Sequence, residues 1–352
     1  MDTRGQYTYQ EILSQPEAWD RALQEIRKQS DRIKQFLQGT LVERVIFTGC
    51  GSTYYLSLAA AVLFQETTGI AAQGLPASEI WLSPQSAFPK GNTLLIAVSR
   101  SGETTETLRA CETFRNKQIG NLLTISCNPG NPLCALGDVN LVLPSGQEQS
   151  VAQTRAFSTL YLATTAIAAI YADQPRLLDD LGRLPEVGRR ILRVYATLAQ
   201  DLGNNRQFER VYFLGSGSRY GLACELNLKM KEMSLSHSEA FHFLEFRHGP
   251  QSMVNVETLL VGLLSETNLV YERAVLDQMR QRGARILSLS ESGNHSLLEN
   301  EPEVIFSSGL SETARNVLYL PIGQLLAYHR SMDRGYNPDL PNNLTAVVKL
   351  DS

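Results

Sequence analysis

Two segments of this chain are copies of one pattern: ERVIFTGCGSTYY from Glu43 and ERVYFLGSGSRYG from Glu209. Each runs Glu-Arg-Val, an apolar stretch with an aromatic, Gly-X-Gly-Ser, then a helix rich in small residues. A repeat on this scale means one supersecondary unit used twice, which restricts the fold more than any local propensity does. The pattern predicts strand, glycine turn and helix in each copy, with Val45–Phe47 as strand core and the helix starting at Ser52. Further strands are predicted at 94–98, 119–127 and 138–144 in the first half, and at 259–264, 285–290 and 304–305 in the second. Helices are expected over 7–40, about 103–117, 155–200 with a break at Asp173-Gln174-Pro175, about 269–282 and 313–331. Apolar strands alternating with helices of this length imply α/β architecture: two similar three-layer units, each a mainly parallel sheet flanked by helices. The expected division is an N-terminal helical segment (1–41), a first unit (42–200), a second unit (201–335) and a C-terminal tail (336–352).

At 352 residues the chain has room for two cores. Its 32 basic and 36 acidic side chains leave −4, and no basic cluster interleaved with aromatics stands out, so a bulk nucleic-acid partner is not expected. Five cysteines without a CxxC pair suggest a reducing cytoplasm rather than a disulfide framework. The start MDTRGQYTYQEIL has no signal-peptide core, and the longest apolar run, Ser158–Ala172, reads as a buried helix, so no membrane partner is expected.

Two hydroxyl-rich turns end strands of the first half. Gly49-Cys50-Gly51-Ser52-Thr53 can present helix-start amides to an anion. A dinucleotide site is the rival, but Tyr54 stands where the third glycine belongs, and Glu66 closes a helix rather than ending a strand. Ser99, Arg100, Ser101, Thr104 and Thr105 crowd around Gly102 at the end of the next strand. An ordinary Ser/Thr cap reads the same way there. Two such turns in one half favour phosphate, and the Walker pattern is absent.

The densest ionisable stretch is Glu225–Pro250. Glu225, Lys229 and Glu232 share one helix face, with Lys231 directed elsewhere, and His237, Glu239, His242, Glu245 and His248 follow. A solvated Glu-Lys helix would look similar. No His-Glu-X-X-His supports a metal, and no Gly-X-Ser-X-Gly elbow supports serine hydrolysis. A carboxylate to carry a proton between neighbouring carbons and a histidine to open a ring would suit acid-base chemistry on a sugar.

Taken together, TYQEILSQP (8–16), GCGSTYY (49–55), SRSGETTET (99–107), SVAQTRAF (150–157), LKMKEMSLSHSEA (228–240), EFRHGP (245–250) and NPDLPNNL (337–344) resemble the tandem sugar isomerase (SIS) domain family. The likeness is to the isomerase half of glutamine–fructose-6-phosphate aminotransferase and to standalone glucosamine-6-phosphate deaminases. It implies phosphate ligands at Ser99, Arg100, Ser101 and Thr104, with Cys50, Gly51, Ser52 and Thr53 of the glycine turn nearby. It also implies Glu148, Ala152 and Gln153 beside the sugar, Glu232 as proton shuttle, and Glu225 and Lys229 lining the site. His248 would open the ring, reaching the partner's site in a homodimer. The aminotransferase's tail lysine is replaced by Ala346, with Lys349 three residues on, and no cysteine precedes Cys50 to serve as a glutaminase nucleophile. The expected reaction is therefore isomerising deamination of glucosamine 6-phosphate, with no metal, nucleotide or lysine adduct. Deglycation of fructosyl-amino-acid 6-phosphates, ketose/aldose phosphate isomerisation and sugar-phosphate sensing are the alternatives.

Overall fold

The computed structural model describes residues 3–39, 41–88, 90–293 and 301–350. The chain forms two compact units. The first-repeat unit comprises Ser14–Glu148, Gln153–Pro185 and Thr345–Ser352, and the second-repeat unit comprises Met1–Leu13, Gln149–Ala152 and Glu186–Leu344. The N-terminal helical segment is divided by this grouping: α1 (Gln6–Leu13) goes with the second-repeat unit and α2 (Gln15–Gln38) with the first. In α2, Trp19, Leu23, Ile26, Ile33 and Leu37 are buried at helical spacing, so the apolar stripe covers the core while the charged face meets solvent.

The first-repeat unit continues with β1 (Arg44–Gly49), α3 (Ser52–Thr68), β2 (Ala72–Pro76), and the short helices α4 (Ala77–Leu82) and α5 (Pro84–Ala87). Then come β3 (Thr93–Ser99), α6 (Thr105–Lys117), β4 (Gly120–Ser126), β5 (Val139–Val142), α7 (Arg155–Tyr171) and the start of α8 (Pro175–Gly203). Pro185 lies inside α8, at the boundary of the two units. Among the described residues the sheet is wholly parallel, in the order β2-β1-β3-β4-β5. Every residue of β3 is buried, as a central strand covered on both faces requires.

In the second-repeat unit lie β6 (Arg210–Leu214), α9 (Ser218–Ser234), β7 (His237–Phe241), β8 (Thr258–Leu263) and α10 (Leu269–Gln281). They are followed by β9 (Arg285–Ser290), β10 (Glu303–Ile305), α11 (Glu312–Arg315) and α12 (Leu320–Asp333). Its parallel sheet reads β7-β6-β8-β9-β10 from one edge, the same order as the first. The repeat seen in sequence is thus a repeat of topology. The helix expected over 313–331 is broken in two by a 3-10 stretch, Asn316–Tyr319. β7 was not anticipated: its five residues, HSEAF, form a short edge strand whose charged and hydroxyl side chains hide the usual apolar signal.

The glycine turns have the same geometry in both copies. Gly51 has φ 55° and ψ −120°, and Gly217 has φ 59° and ψ −135°, a conformation that side chains with a Cβ rarely adopt. The strand-ending glycines instead permit a close approach. A Cβ on Gly49 would lie 2.4 Å from Thr53 Oγ1, and one on Gly215 would lie 2.4 Å from the Arg219 carbonyl oxygen. Replacing Gly215 by Ala should therefore cost about 1–3 kcal/mol through overpacking against backbone. A urea midpoint unchanged from the parent protein would contradict that contact.

Candidate functional site

In an open parallel sheet of this order, ligands lie beyond the carboxyl ends of the strands where the connections diverge, here β1 and β3. Both hydroxyl-rich turns are at those ends. The Ser99 hydroxyl accepts the Gly102 N–H at 3.0 Å and the Ser101 hydroxyl accepts the Glu103 N–H at 3.1 Å. Each serine is thereby fixed as an acceptor and retains its own O–H to donate, the role needed to hold an anionic oxygen. Gly102 (φ 71°) is required here, because a Cβ would sit 2.1 Å from the Asn131 side chain. Helix α6 begins at Thr105, two residues later than expected, and Thr104 is its N-cap without a side-chain capping bond.

The first glycine turn behaves differently. Thr53 Oγ1 accepts from the Cys50 N–H at 2.9 Å and donates to the Cys50 carbonyl at 3.0 Å, so it braces the turn that carries Gly51 and Ser52. Cys50 Sγ lies 3.4 Å from Thr107 Oγ1. Burial pushes its thiol up to about 11, so it remains protonated at neutral pH.

Arg100 is anchored. Its guanidinium donates to Glu148 at 3.3 Å and to the Ala346 carbonyl at 3.1 Å. Glu148, with no solvent exposure of its side chain, also accepts the Thr154 N–H and hydroxyl at 2.8 and 2.9 Å. Glu148 is therefore a positioning residue for Arg100. Gln153 holds a buried Oε1 with no partner. Ala152 is buried as well, and the boundary of the two units passes between it and Gln153. The tail continues along the same turn: the Thr105 N–H donates to the Val348 carbonyl at 3.4 Å, and Lys349 pairs with Glu103 at 3.2 Å.

In the second-repeat unit, α9 brings Glu225, Lys229 and Glu232 together as the spacing predicts. Lys229 Nζ lies 3.4 Å from Glu225 and in direct contact with Glu232. The first two side chains are fully buried, whereas Glu232 keeps 18% of its side-chain surface. The histidines, in contrast, are dispersed. His237 opens β7, His242 stacks on Tyr220 with ring centroids 3.9 Å apart, and exposed His248 occupies a turn before Gly249 (φ 121°). Burial lowers the His242 pKa, against the attraction of Glu245.

Two terminal motifs prove to be pins. Asp339 accepts the Tyr7 and Thr8 N–H groups at 3.2 and 2.7 Å and the Thr8 hydroxyl at 2.7 Å, capping α1. Glu11 accepts the Gln149 N–H at 2.6 Å and the Ser150 hydroxyl. Their sequence signal was visible, but single motifs do not disclose that 7–8 meets 339. The other unanticipated group stands where the second copy repeats the hydroxyl-rich turn after β3. There Arg219 pairs with Glu312 at 2.7 Å, Glu272 accepts the Ser265 N–H at 2.6 Å, and Arg315 reaches Glu266 at 2.6 Å. The second switch point is filled by the chain's own charges.

Two parallel sheets of this order, each opened by a strand, glycine turn and helix, define a duplicated α/β fold. The SIS domain matches residues 42–170 and 206–320, and the chain belongs to that family. It is 30% identical over 333 residues to the glutamine–fructose-6-phosphate aminotransferase (isomerizing) of Pseudomonas aeruginosa, covering 88% of this chain and 52% of that protein. The chain spans about half the length of such curated relatives. The glucosamine-6-phosphate deaminase structure from Thermotoga maritima aligns with TM-score 0.73 and 26% identity, over 94% of this chain and 100% of the other. The tagatose-6-phosphate ketose/aldose isomerase structure from Escherichia coli shares the fold at TM-score 0.86 and 24% identity, with 96% of both chains covered.

Removing Lys229 should be severe, because it leaves a buried carboxylate without its counter-charge. Lys229→Met is expected to lose about 3–5 kcal/mol, and adding Glu225→Gln should restore a measurable part. Strictly additive losses in denaturant titrations would mean the two charges do not interact. At pH 8, alkylation of Cys50 by iodoacetamide should run about a hundredfold slower in the native protein than in urea, following the raised thiol pKa. Equal rates would mean the thiol is not buried.

Proposed function

We propose that this protein catalyses proton transfer between C1 and C2 of a sugar phosphate, and that its reaction is the isomerising deamination of glucosamine 6-phosphate. The observation that carries the reading is the α9 triad: a fully buried lysine held between two carboxylates, of which Glu232 alone keeps contact with solvent. One cation against two carboxylates gives −1, and protonating Glu232 brings the group to zero. A carboxylate in this setting can take a proton from carbon and give it back without leaving an unbalanced charge in the interior.

In this reading the Ser99 and Ser101 hydroxyls donate to the phosphate, Thr104 and the Gly51-Ser52 turn add polar contacts, and Arg100 contributes charge while Glu148 holds it in place. Gln153 offers its buried amide to a sugar hydroxyl. His248 promotes ring opening to the aldehyde, acting as the partner's residue in a homodimer. Glu232 removes the C2 proton to give an enolamine and returns a proton to C1, leaving an imine at C2. Water adds to the imine and ammonia leaves, so glucosamine 6-phosphate and water become fructose 6-phosphate and ammonia. Lys229 and Glu225 position Glu232. No lysine adduct is invoked, in keeping with Ala346 at the tail and with Lys349 paired to Glu103.

Incubation with glucosamine 6-phosphate should release ammonia and fructose 6-phosphate in equal amounts. Glu232→Gln should lower kcat by about 10²–10⁴ with binding retained. Ser101→Ala should raise KM several-fold with less effect on kcat. Silence on this substrate, with turnover of tagatose 6-phosphate or a fructosyl-amino-acid 6-phosphate instead, would keep the proton transfer and overturn the deamination. Binding without turnover of any of them would make the protein a sensor.

A further inference from the structure

We propose that the amino end of the second-repeat sheet carries a second anion site, organised by Arg330 and Arg334, for a phosphorylated small molecule. The inference stands apart from the reaction assigned above. Arg210 opens β6 and His237 opens β7, and the two are paired in register, so both stand at the amino end of that sheet. There a cavity of about 660 Å³ is lined by Arg206, Arg330, Arg334, Asp333, Glu209 and His237 among others. A second hollow of about 800 Å³ shares His237 and adds Arg210, Lys231 and Glu239. Five cations against three carboxylates leave +2 at this place, in a chain whose total is −4.

The arrangement of the arginines is more telling than their number. Arg206 and Asp333 answer each other through a two-point contact, both at 3.0 Å. Arg330 is 7% exposed, yet among the described residues its hydrogen bonds go to neutral acceptors: Ser236 Oγ at 2.7 Å, the Asn205 carbonyl at 3.2 Å and the Phe208 carbonyl. Three of its five N–H donors are thus used. Arg334 donates to the same Ser236 hydroxyl at 2.9 Å. Two guanidinium groups therefore converge on one uncharged oxygen, the nearest carboxylate being committed to Arg206. The negative ends of α9 and α12 explain a cation near each helix terminus, but not this convergence.

An anion offering several oxygens would accept the remaining donors of Arg330 and Arg334 and relieve their mutual repulsion. Planar forks of this kind suit phosphate bidentately, and each hollow by itself has the volume of a metabolite pocket. Beyond filling space, Lys231 and Arg210 extend the positive lining for a second charged group on the same ligand.

The test is calorimetric titration of the full-length protein with inorganic pyrophosphate, after Arg100→Gln and Ser101→Ala have weakened the first-repeat phosphate turn. One binding event is expected to survive in that background. Adding Arg334→Gln at this exposed position should weaken it tenfold or more, and Arg334→Lys should fall between. Lys231→Gln, a second exposed change, should weaken it several-fold and guards against a folding defect at Arg334. The proposal is overturned if the background protein binds no pyrophosphate. It is equally overturned if the surviving event is indifferent to both Arg334→Gln and Lys231→Gln. Neither result touches the deamination assay, which reports on the other turn and on Glu232.

Discussion

The close approach of strand end to helix start is the constraint from which both units follow. At Gly49 and Gly215 the backbone passes so near the first helical turn that no Cβ fits. Gly51 and Gly217 then reverse the chain at positive φ. Together they set the direction in which α3 and α9 leave their strands, and hence where the amides at each helix start and the side chains along each helix face. The same four glycine positions thus give the two units a common turn at the carboxyl end of their first strand.

Beyond that common turn the two copies differ. In the first-repeat unit the turn after β3 is occupied by serines that accept backbone N–H groups and keep a donor in reserve. In the second-repeat unit the corresponding ground holds Arg219, Glu272, Glu312 and Arg315, tied to one another or to nearby backbone, with Arg219 and Glu272 largely buried. Burial raises the Glu272 pKa, opposed by the Ser265 hydrogen bonds and by Arg219. A turn filled by paired charges differs from one lined with hydroxyls: in the second-repeat unit the arginines are matched by carboxylates of the chain itself. Divergence of one motif into a hydroxyl-lined turn and a self-filled turn is what a duplicated fold permits.

Much of this was legible in the residues. The repeated Gly-X-Gly-Ser segments indicated two α/β units, and strict 4- and 3-residue spacing placed Glu225, Lys229 and Glu232 on one face, as observed. β7 was not legible, because an edge strand of five residues needs only Ser238 buried and carries no apolar alternation. Nor was the histidine cluster a cluster. Intervals of two or three residues have no fixed meaning once the chain runs strand, loop and 3-10 turn, and the structure sends His237, His242 and His248 to different surroundings. Contacts between distant segments were hidden for a different reason. Glu148 with Arg100, or Asp339 with Thr8, are pairings of tertiary structure, and nothing local at either partner names the other.

The charge balance along α9 shows why its three ionisable groups are interdependent. A fully buried ammonium is costly to desolvate and persists where carboxylates compensate it. Glu225 supplies one of these from within the core, at the next turn of the same helix. That pair alone is neutral and closed to solvent. Glu232, also drawn to Lys229, adds a second carboxylate with an edge open to solvent. The buried pair is therefore a fixed platform on which Glu232 is mounted, and Lys229 holds its oxygen in one orientation. Substituting Glu225 would leave Lys229 with Glu232 as its compensating charge. Substituting Lys229 would leave two carboxylates facing each other. Only the complete set anchors Glu232 at the solvent edge of a buried, charge-compensated pair.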